Sequence, residues 1–390
     1  MTDATIKIGL IGSGFMGQAH ADAYRRAAML YTNLPATPVL HAVADAGQAL
    51  AEKAAARFGA ARAYGDWRAL IEDPEVDVVD ITTPNSLHFE MAMAAIGAGK
   101  HVYCEKPLAV SLEEAETMTA AAQAKGVKTF VAFNNIKTPA AMLARQLIER
   151  GEIGEPIRFR GTFDQGFFCD PDLPWSWRCS RQKAGSGSLG DLGSHVISVA
   201  QFLMGDFDRV CANAQTLFPK RPVPSSGSGY GSKVDTASAE YREVENEDQL
   251  QCLVRFGSGA GGVIESSRVA AGKIFGISWE ITGTEGTIIN DGERFNELQL
   301  FRFTDAKRDR GFKTLYAGSQ VPQYSAFFGF DFGGGGLGYF DIKVIEVHDL
   351  VMGISGAADC FPDFAFGLQN ERIIDAIERS LERDGWVGVA

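Results

Sequence analysis

The stretch Ile6-Lys7-Ile8-Gly9-Leu10-Ile11-Gly12-Ser13-Gly14-Phe15-Met16-Gly17 joins a short apolar run directly to a GxGxxG string. A parallel strand covered by helices on both faces is continuously apolar in this way. The three glycines that follow have separate tasks. Gly12 permits a tight turn, Gly14 lets the backbone approach a pyrophosphate, and Gly17 allows close packing of helix on strand. The helix opening here offers free N–H groups and partial positive charge to phosphate oxygens. A dinucleotide is therefore expected against Gly12, Gly14, Phe15, Met16 and Gly17.

Similar apolar runs recur at VLHAVA (39–44), VDVVDIT (76–82), KHVYCE (100–105) and VKTFVAF (127–133). Ala-rich segments of helical character separate them: Gln48–Phe58, Leu87–Gly97 and Ser111–Lys125. In the last, Ser111 followed three residues later by Glu114 forms a capping box. Strand–helix alternation implies right-handed crossovers and a doubly wound parallel sheet of Rossmann type, placed at 1–133. Asp45 ends the second run. A carboxylate there accepts hydrogen bonds from the adenosine ribose and repels a 2′-phosphate. Ala46 and Gly47 follow, offering no partner for such a phosphate, so NAD is expected rather than NADP. Asp45 lies 28 residues beyond Gly17, where about 20 is usual. MLYTNLPATP (29–38) accounts for the excess as a longer loop, and a helix cap is the competing role for Asp45.

From Pro139 the pattern changes. A helix at about 139–150 leads into the alternating strand IRFRGTFDQ (157–165). Strand-like runs follow at QLQCLVRF (249–256), GGVIESSRV (261–269), SWEITG (278–283), GTIIN (286–290) and ELQLFRF (297–303). Short turns between them predict one large open antiparallel sheet, with helices at about 187–204, 342–353 and 364–382 set against it. This makes 134–390 an α+β domain for substrate binding and oligomerisation. Pro219–Thr236 and the glycine run 333–338 read as irregular loops, either near a ligand or subunit contact or as plain solvated connectors.

Composition narrows the function. The chain has 390 residues and a net charge of −12, with no basic stripe, so a nucleic-acid partner is not expected. No apolar run reaches the ~20 residues that span a bilayer, and no secretory signal is seen at the start. The six cysteines lack a CxxC pair, so neither zinc nor a disulfide framework is indicated, and a cytoplasmic protein is expected. No compact cluster of His, Cys and carboxylate side chains suggests any other metal.

Two further strings carry chemistry. Glu105-Lys106-Pro107 sits at a strand end, where the carboxyl edge of an open sheet makes a ligand crevice. Gly187-Ser188-Leu189-Gly190-Asp191-Leu192-Gly193-Ser194-His195 opens a later helix, and on a helix Asp191 and His195, four residues apart, share a face. Taken singly, each has an ordinary alternative: a solvated lysine, a surface or capping pair.

Together with the glycine loop and TTPNSLH (82–88), the strings CEKPL (104–108) and LGDLGSH (189–195) resemble the Gfo/Idh/MocA family of glucose-fructose oxidoreductase and inositol dehydrogenase relatives. The resemblance covers the whole chain and the order of its domains. WRCSRQKAGSGSLGDLGSHVI and GLGYFDIKVIEVHD look like the branch of levoglucosan- and inositol-type sugar dehydrogenases. It implies that Lys106 contacts the reacting hydroxyl and the nicotinamide ribose. Asp191 and His195 would face the substrate, with His195 as acid–base. Thr83, Pro84, Asn85, His88, Glu105, Asn134, Trp177 and Arg178 would lie along the cofactor, and Tyr339 would touch substrate. Many relatives carry Arg where Lys137 stands, which leaves a ligand contact at that position open.

The residue types suit the chemistry. Oxidising a secondary alcohol sends a hydride to nicotinamide C4 while the hydroxyl loses a proton. Histidine, with an ordinary pKa of ~6.5, can take that proton. A lysine ammonium stabilises the developing alkoxide. Trp175, Trp177, Phe167 and Phe168 could face sugar C–H surfaces or simply pack in a core. The expected function is an NAD(P)-dependent dehydrogenase of a cyclic sugar, anhydrosugar or inositol. An NAD-retaining glycosidase and a non-catalytic dinucleotide sensor are the two other possibilities. An apolar outer sheet face would favour a homo-oligomer, dimer or tetramer.

Overall fold

The computed structural model describes residues 4–224, 239–319, 321–328 and 336–389. Most of the expected loop at 219–236 and part of the glycine run at 333–338 lie outside the described residues.

The chain forms two compact units. In the first, β1 (Thr5–Ile11), α1 (Phe15–Leu30), β2 (Thr37–Ala44), α2 (Gln48–Phe58), β3 (Arg62–Tyr64) and α3 (Trp67–Glu72) are followed by β4 (Val78–Ile81), α4 (His88–Gly97), β5 (His101–Cys104), α5 (Leu112–Lys125) and β6 (Thr129–Val131). The strands lie in the order β3-β2-β1-β4-β5-β6 with every neighbouring pair parallel. This is the doubly wound sheet expected from the alternation. The order reverses between β1 and β4, so the strand ends that carry the glycine loop and Thr82–Pro84 lie side by side. At the head of α5, Ser111 Oγ accepts from the Glu114 N–H and the Glu114 carboxylate accepts from the Val110 N–H. β3 and α3 escaped the sequence pattern because Arg-Ala-Tyr is too short to show a period.

The second unit contains α6 (Pro139–Glu149), β7 (Pro156–Asp164), α7 (Arg181–Ala184), α8 (Ser194–Met204), β8 (Phe207–Gln215), β9 (Lys220–Pro222), β10 (Tyr241–Glu243), β11 (Gln249–Phe256), β12 (Gly261–Ser267), β13 (Gly276–Gly283), β14 (Gly286–Asp291), β15 (Glu297–Arg302) and β16 (Lys313–Tyr316). After helices α9 (Tyr339–Ile354) and α10 (Phe364–Arg383), the short β17 (Val387–Gly388) closes the sheet. The nine strands run β16-β15-β14-β13-β7-β12-β11-β8-β17. Neighbours are antiparallel except β7 and β12, which are parallel, so the sheet is mixed. One face is covered: Phe159, Phe163, Ile264, Val254 and Ile281 are buried, and α8 packs on β7 and β12. The outward face is not the apolar surface expected. It alternates Leu253 and Val263 with Arg158, Arg160, Glu265 and Glu280.

Residues 336–369, including all of α9, pack with the first unit, as does the segment 322–328. Val344, Val347, Leu350 and Val351 of α9 join Ile8, Leu10, Val43, Val78, Tyr103 and Phe130 in one core. The chain first leaves that unit after Lys137.

Candidate active site

The glycine loop has the geometry its spacing predicts. Gly12 takes φ +99°, and a Cβ there would sit 2.9 Å from the Thr82 carbonyl oxygen. Gly17 presses on the turn: its Cβ would fall 2.0 Å from the Gly12 oxygen. Gly14, which caps α1, would direct a Cβ into open space. The backbone is therefore bare at the one place where a phosphate must approach the helix amino terminus. Phe15 is exposed and lies 5.6 Å, centroid to centroid, from Phe340 on α9. The Asp45 carboxylate accepts from the Ser13 N–H at 3.0 Å and also from the Ser13 hydroxyl. It makes no cap for α2, whose N-cap is Gly47. Its negative charge is held against the glycine loop, where a ribose would lie.

Beyond β4, Thr83, Pro84 and Asn85 are half-buried. His88 is fully buried beneath them, with Nδ1 2.9 Å from the Pro107 carbonyl and Nε2 3.1 Å from that of Thr83. Burial pushes its pKa down despite these carbonyls. The imidazole thus pins the 83–85 turn to the Glu105–Pro107 turn, a supporting position below the surface. Lys106 is half-buried and precedes a cis proline. Glu105 is buried; burial alone would raise its pKa, but Lys343 and His20 hold it well below the usual range. Asn134 is 2% exposed and hydrogen-bonds Tyr339, whose hydroxyl is pushed up to about 12, chiefly by burial. Lys137, the departure from the family pattern, is buried and ion-paired with Asp349 at 2.7 Å.

In the second unit the segment before α8 winds more widely than an α-helix, as a π turn over Leu189–Gly193. Glu247 anchors it: its carboxylate accepts from the Gly187 and Leu189 N–H groups at 2.9 and 2.8 Å. Asp191 is half-buried and pairs with Arg178, Nε to Oδ2 at 3.4 Å. Arg178 lies over the Trp177 ring at 4.4 Å, and its carbonyl accepts from Asn246 and Arg268. His195 is 6% exposed, its ring edge-on to Phe163 at 5.7 Å. Phe167, Phe168 and Trp175 belong to a packed cluster, in which Phe168 is flanked by Arg221 and Arg268. Phe168 is thus a core residue, and Phe167 and Trp175 are partly buried against it.

One trio could in principle hold a metal ion, since ligand atoms of His41, Asp73 and Glu75 lie within 4.8 Å of one another. Arg62 and Lys7 already pair with its carboxylates, at 2.9 Å to Asp73 and 2.5 Å to Glu75. Both carboxylates of the trio thus already have a side-chain counter-charge.

Residues 6–133 match the model of an oxidoreductase family with an NAD-binding Rossmann fold, and 142–289 match the GFO/IDH/MocA C-terminal domain. The chain is 42% identical to levoglucosan dehydrogenase of Pseudarthrobacter phenanthrenivorans over 98% of both chains. The chain belongs to the GFO/IDH/MocA family. A structure described as an NAD binding oxidoreductase from Klebsiella pneumoniae is 67% identical, with a TM-score of 0.94 over 99% of this chain and all of that one. Levoglucosan dehydrogenase in complex with NADH and levoglucosan superposes with a TM-score of 0.92 over 99% of each chain, at 42% identity.

The first unit of this GFO/IDH/MocA chain fits NAD on its own geometry. The bare Gly14, the helix terminus and the Asp45 carboxylate supply what a pyrophosphate and an unphosphorylated ribose need. The buried Asn134 Oδ1 has no hydrogen-bond partner among the described residues. Sequence reasoning missed the supports, namely His20, Lys343, Glu247 and Arg268. Each is remote in sequence from the residue it steadies, so no local spacing could reveal it. Among the described residues no helix is long and apolar enough to cross a membrane.

Proposed function

We propose that this chain is an NAD-dependent dehydrogenase that oxidises a secondary hydroxyl of a cyclic sugar, anhydrosugar or inositol. The observation that carries this is the likeness to levoglucosan dehydrogenase along 98% of both chains. It gives no support to an NAD-retaining glycosidase or a sensor. When bound, NAD supplies a nicotinamide C4 that accepts a hydride. The proton falls to the chain's own residues. Lys106 is assigned to the reacting hydroxyl, where its ammonium favours the alkoxide more than the alcohol. His195, held by α8 and Phe163, is assigned as acid–base, and Asp191 as a hydroxyl acceptor steadied by Arg178. Thr83, Pro84, Asn85, Asn134, Trp177 and Arg178 are assigned to the cofactor, and Tyr339 to the substrate. Residues 1–133 are assigned chiefly to the cofactor and 134–390 chiefly to the substrate and assembly, with Lys106 on one side and Asn134, Trp177 and Arg178 on the other as the exceptions.

Levoglucosan, myo-inositol, glucose and xylose, each assayed with NAD and then NADP, test the reading. Appearance of NADH stoichiometric with oxidised sugar supports it. Sugar cleavage without NADH release would replace it with the glycosidase. We further infer a cytoplasmic homo-oligomer, which accords with six unpaired cysteines and with an outer sheet face that mixes charge and apolar groups.

A further inference from the structure

We propose that Lys343 is a positioning residue for Lys106, acting through the Glu105 carboxylate. The inference rests on the reading that Lys106 acts on the reacting hydroxyl. Glu105 stands immediately after β5 and immediately before Lys106. Its Oε1 accepts from Lys343 Nζ at 2.8 Å and lies 3.0 Å from His20 Nε2. Its Oε2 accepts from the Lys106 backbone N–H at 3.1 Å. One carboxylate therefore ties the peptide carrying Lys106 to a lysine of α9 and a histidine of α1.

The grip is itself held on every side. Lys343, 1% exposed, also pairs with Glu346 Oε2 at 2.9 Å, and that oxygen accepts from the Tyr103 hydroxyl at 2.8 Å. His20 is completely buried, stacks on Tyr103 at 4.7 Å and turns its other ring nitrogen to Asp80 at 3.0 Å. Asp80 in turn accepts from Tyr24 at 2.7 Å. Burial opposes the charge on both donors. Even so, Asp80 lifts His20 to about 9, and Glu105 and Glu346 push Lys343 upward, so both keep their protons at neutral pH.

Stability does not require such an arrangement. Desolvating charges offsets most of their attraction, and apolar side chains of similar volume hold a core as well. Apolar packing cannot supply direction. With one oxygen fixed by two cationic donors, the other has a single place, and the amide bonded to it orients the peptide from which the Lys106 stem departs. Reaction rates respond to this: a misplacement of about 1 Å can cost ~10²-fold.

The test compares Glu346→Gln with Lys343→Met/Glu346→Gln. The single variant keeps Lys343 and His20 against Glu105 and Asp80, and its amide oxygen still accepts from Tyr103, so kcat should stay near the wild-type value. The double variant has the same formal interior charge as the wild type with Glu346 ionised, but Glu105 loses its lysine. Its kcat on the sugar that the wild type oxidises fastest should fall by ~10–100-fold. NADH affinity, measured by fluorescence, should be unchanged, and a larger primary deuterium isotope effect on kcat should appear. A folded double variant with wild-type kcat, or with its loss confined to KM or NADH affinity, overturns the proposal. Should that variant not fold, Glu105→Gln decides by the same split. A wild-type enzyme inert on every sugar of the panel would instead sink the dehydrogenase reading beneath it.

Discussion

Gly14 and Gly17 separate ligand approach from packing within one loop. Gly14→Ala meets no atom and needs no unusual backbone. The variant should unfold at the wild-type temperature, yet bind NADH at least ~10-fold more weakly, since its methyl points where phosphate must come. Gly17→Ala collides with the Gly12 oxygen and should lose ~1–3 kcal/mol of stability as well as NADH binding. Equal stability losses in the two variants would show that the loop does not divide its tasks this way. Asp45→Asn retains an acceptor for Ser13 but removes the repulsion of a 2′-phosphate. The ratio of kcat/KM with NADP to that with NAD should rise by ~10-fold or more. An unchanged ratio would take Asp45 out of cofactor choice. At His195, replacement by Ala should lower kcat by ~10²–10⁴-fold with NADH affinity unaltered. Wild-type turnover in that variant would remove His195 from the mechanism.

Between elements, the buried ionic cluster of His20, Asp80, Glu105, Lys343 and Glu346 joins α1, β4, the end of β5 and α9. It also gives stability a pH dependence with a definite sign. His20 binds its proton more tightly in the folded state, at about 9, than the ordinary 6.5 of an unfolded chain. Its contribution is complete below pH 6.5 and is lost as pH rises through 9. Glu105, held low when folded, contributes above its ordinary value and loses that contribution in acid. Urea unfolding should show stability declining between pH 6.5 and pH 9, with a further decline below pH 4.5. A profile flat from pH 6.5 to 9 would mean that His20 is not the cation of this cluster. The π turn at Leu189–Gly193 is the other contribution made between elements. Glu247 holds it by two backbone amides, so the approach to His195 is set by a residue of a distant loop.

For the molecule entire, assembly is the open prediction. Light scattering at micromolar concentration should give a multiple of the 42.0 kDa chain mass. A monomer would refute the proposed homo-oligomer. The outer sheet face carries Arg158 paired with Glu280 at 2.7 Å and, two strands from Arg158, half-exposed Leu253. An interface built there would be polar as well as apolar, and its strength should fall with added salt. The first unit is completed only when the chain returns to it at 336–369, bringing four α9 side chains into its core.

The sequence alone determined the order and kind of most elements in both units, because apolar period and glycine spacing are local signals that backbone geometry reads directly. The phosphate loop was legible for the same reason, and Asp45 from its place at the end of the second apolar run, whereas Lys106, Asp191 and His195 were singled out by the family resemblance of the strings that carry them. It could not show that α9 closes the nucleotide unit, that Lys343 and His20 grip Glu105, that β7 and β12 run parallel, or that Asp191 already has Arg178 as a partner. Those facts are contacts between residues far apart along the chain. Burial, charge pairing and strand register are decided only when folding brings such residues together.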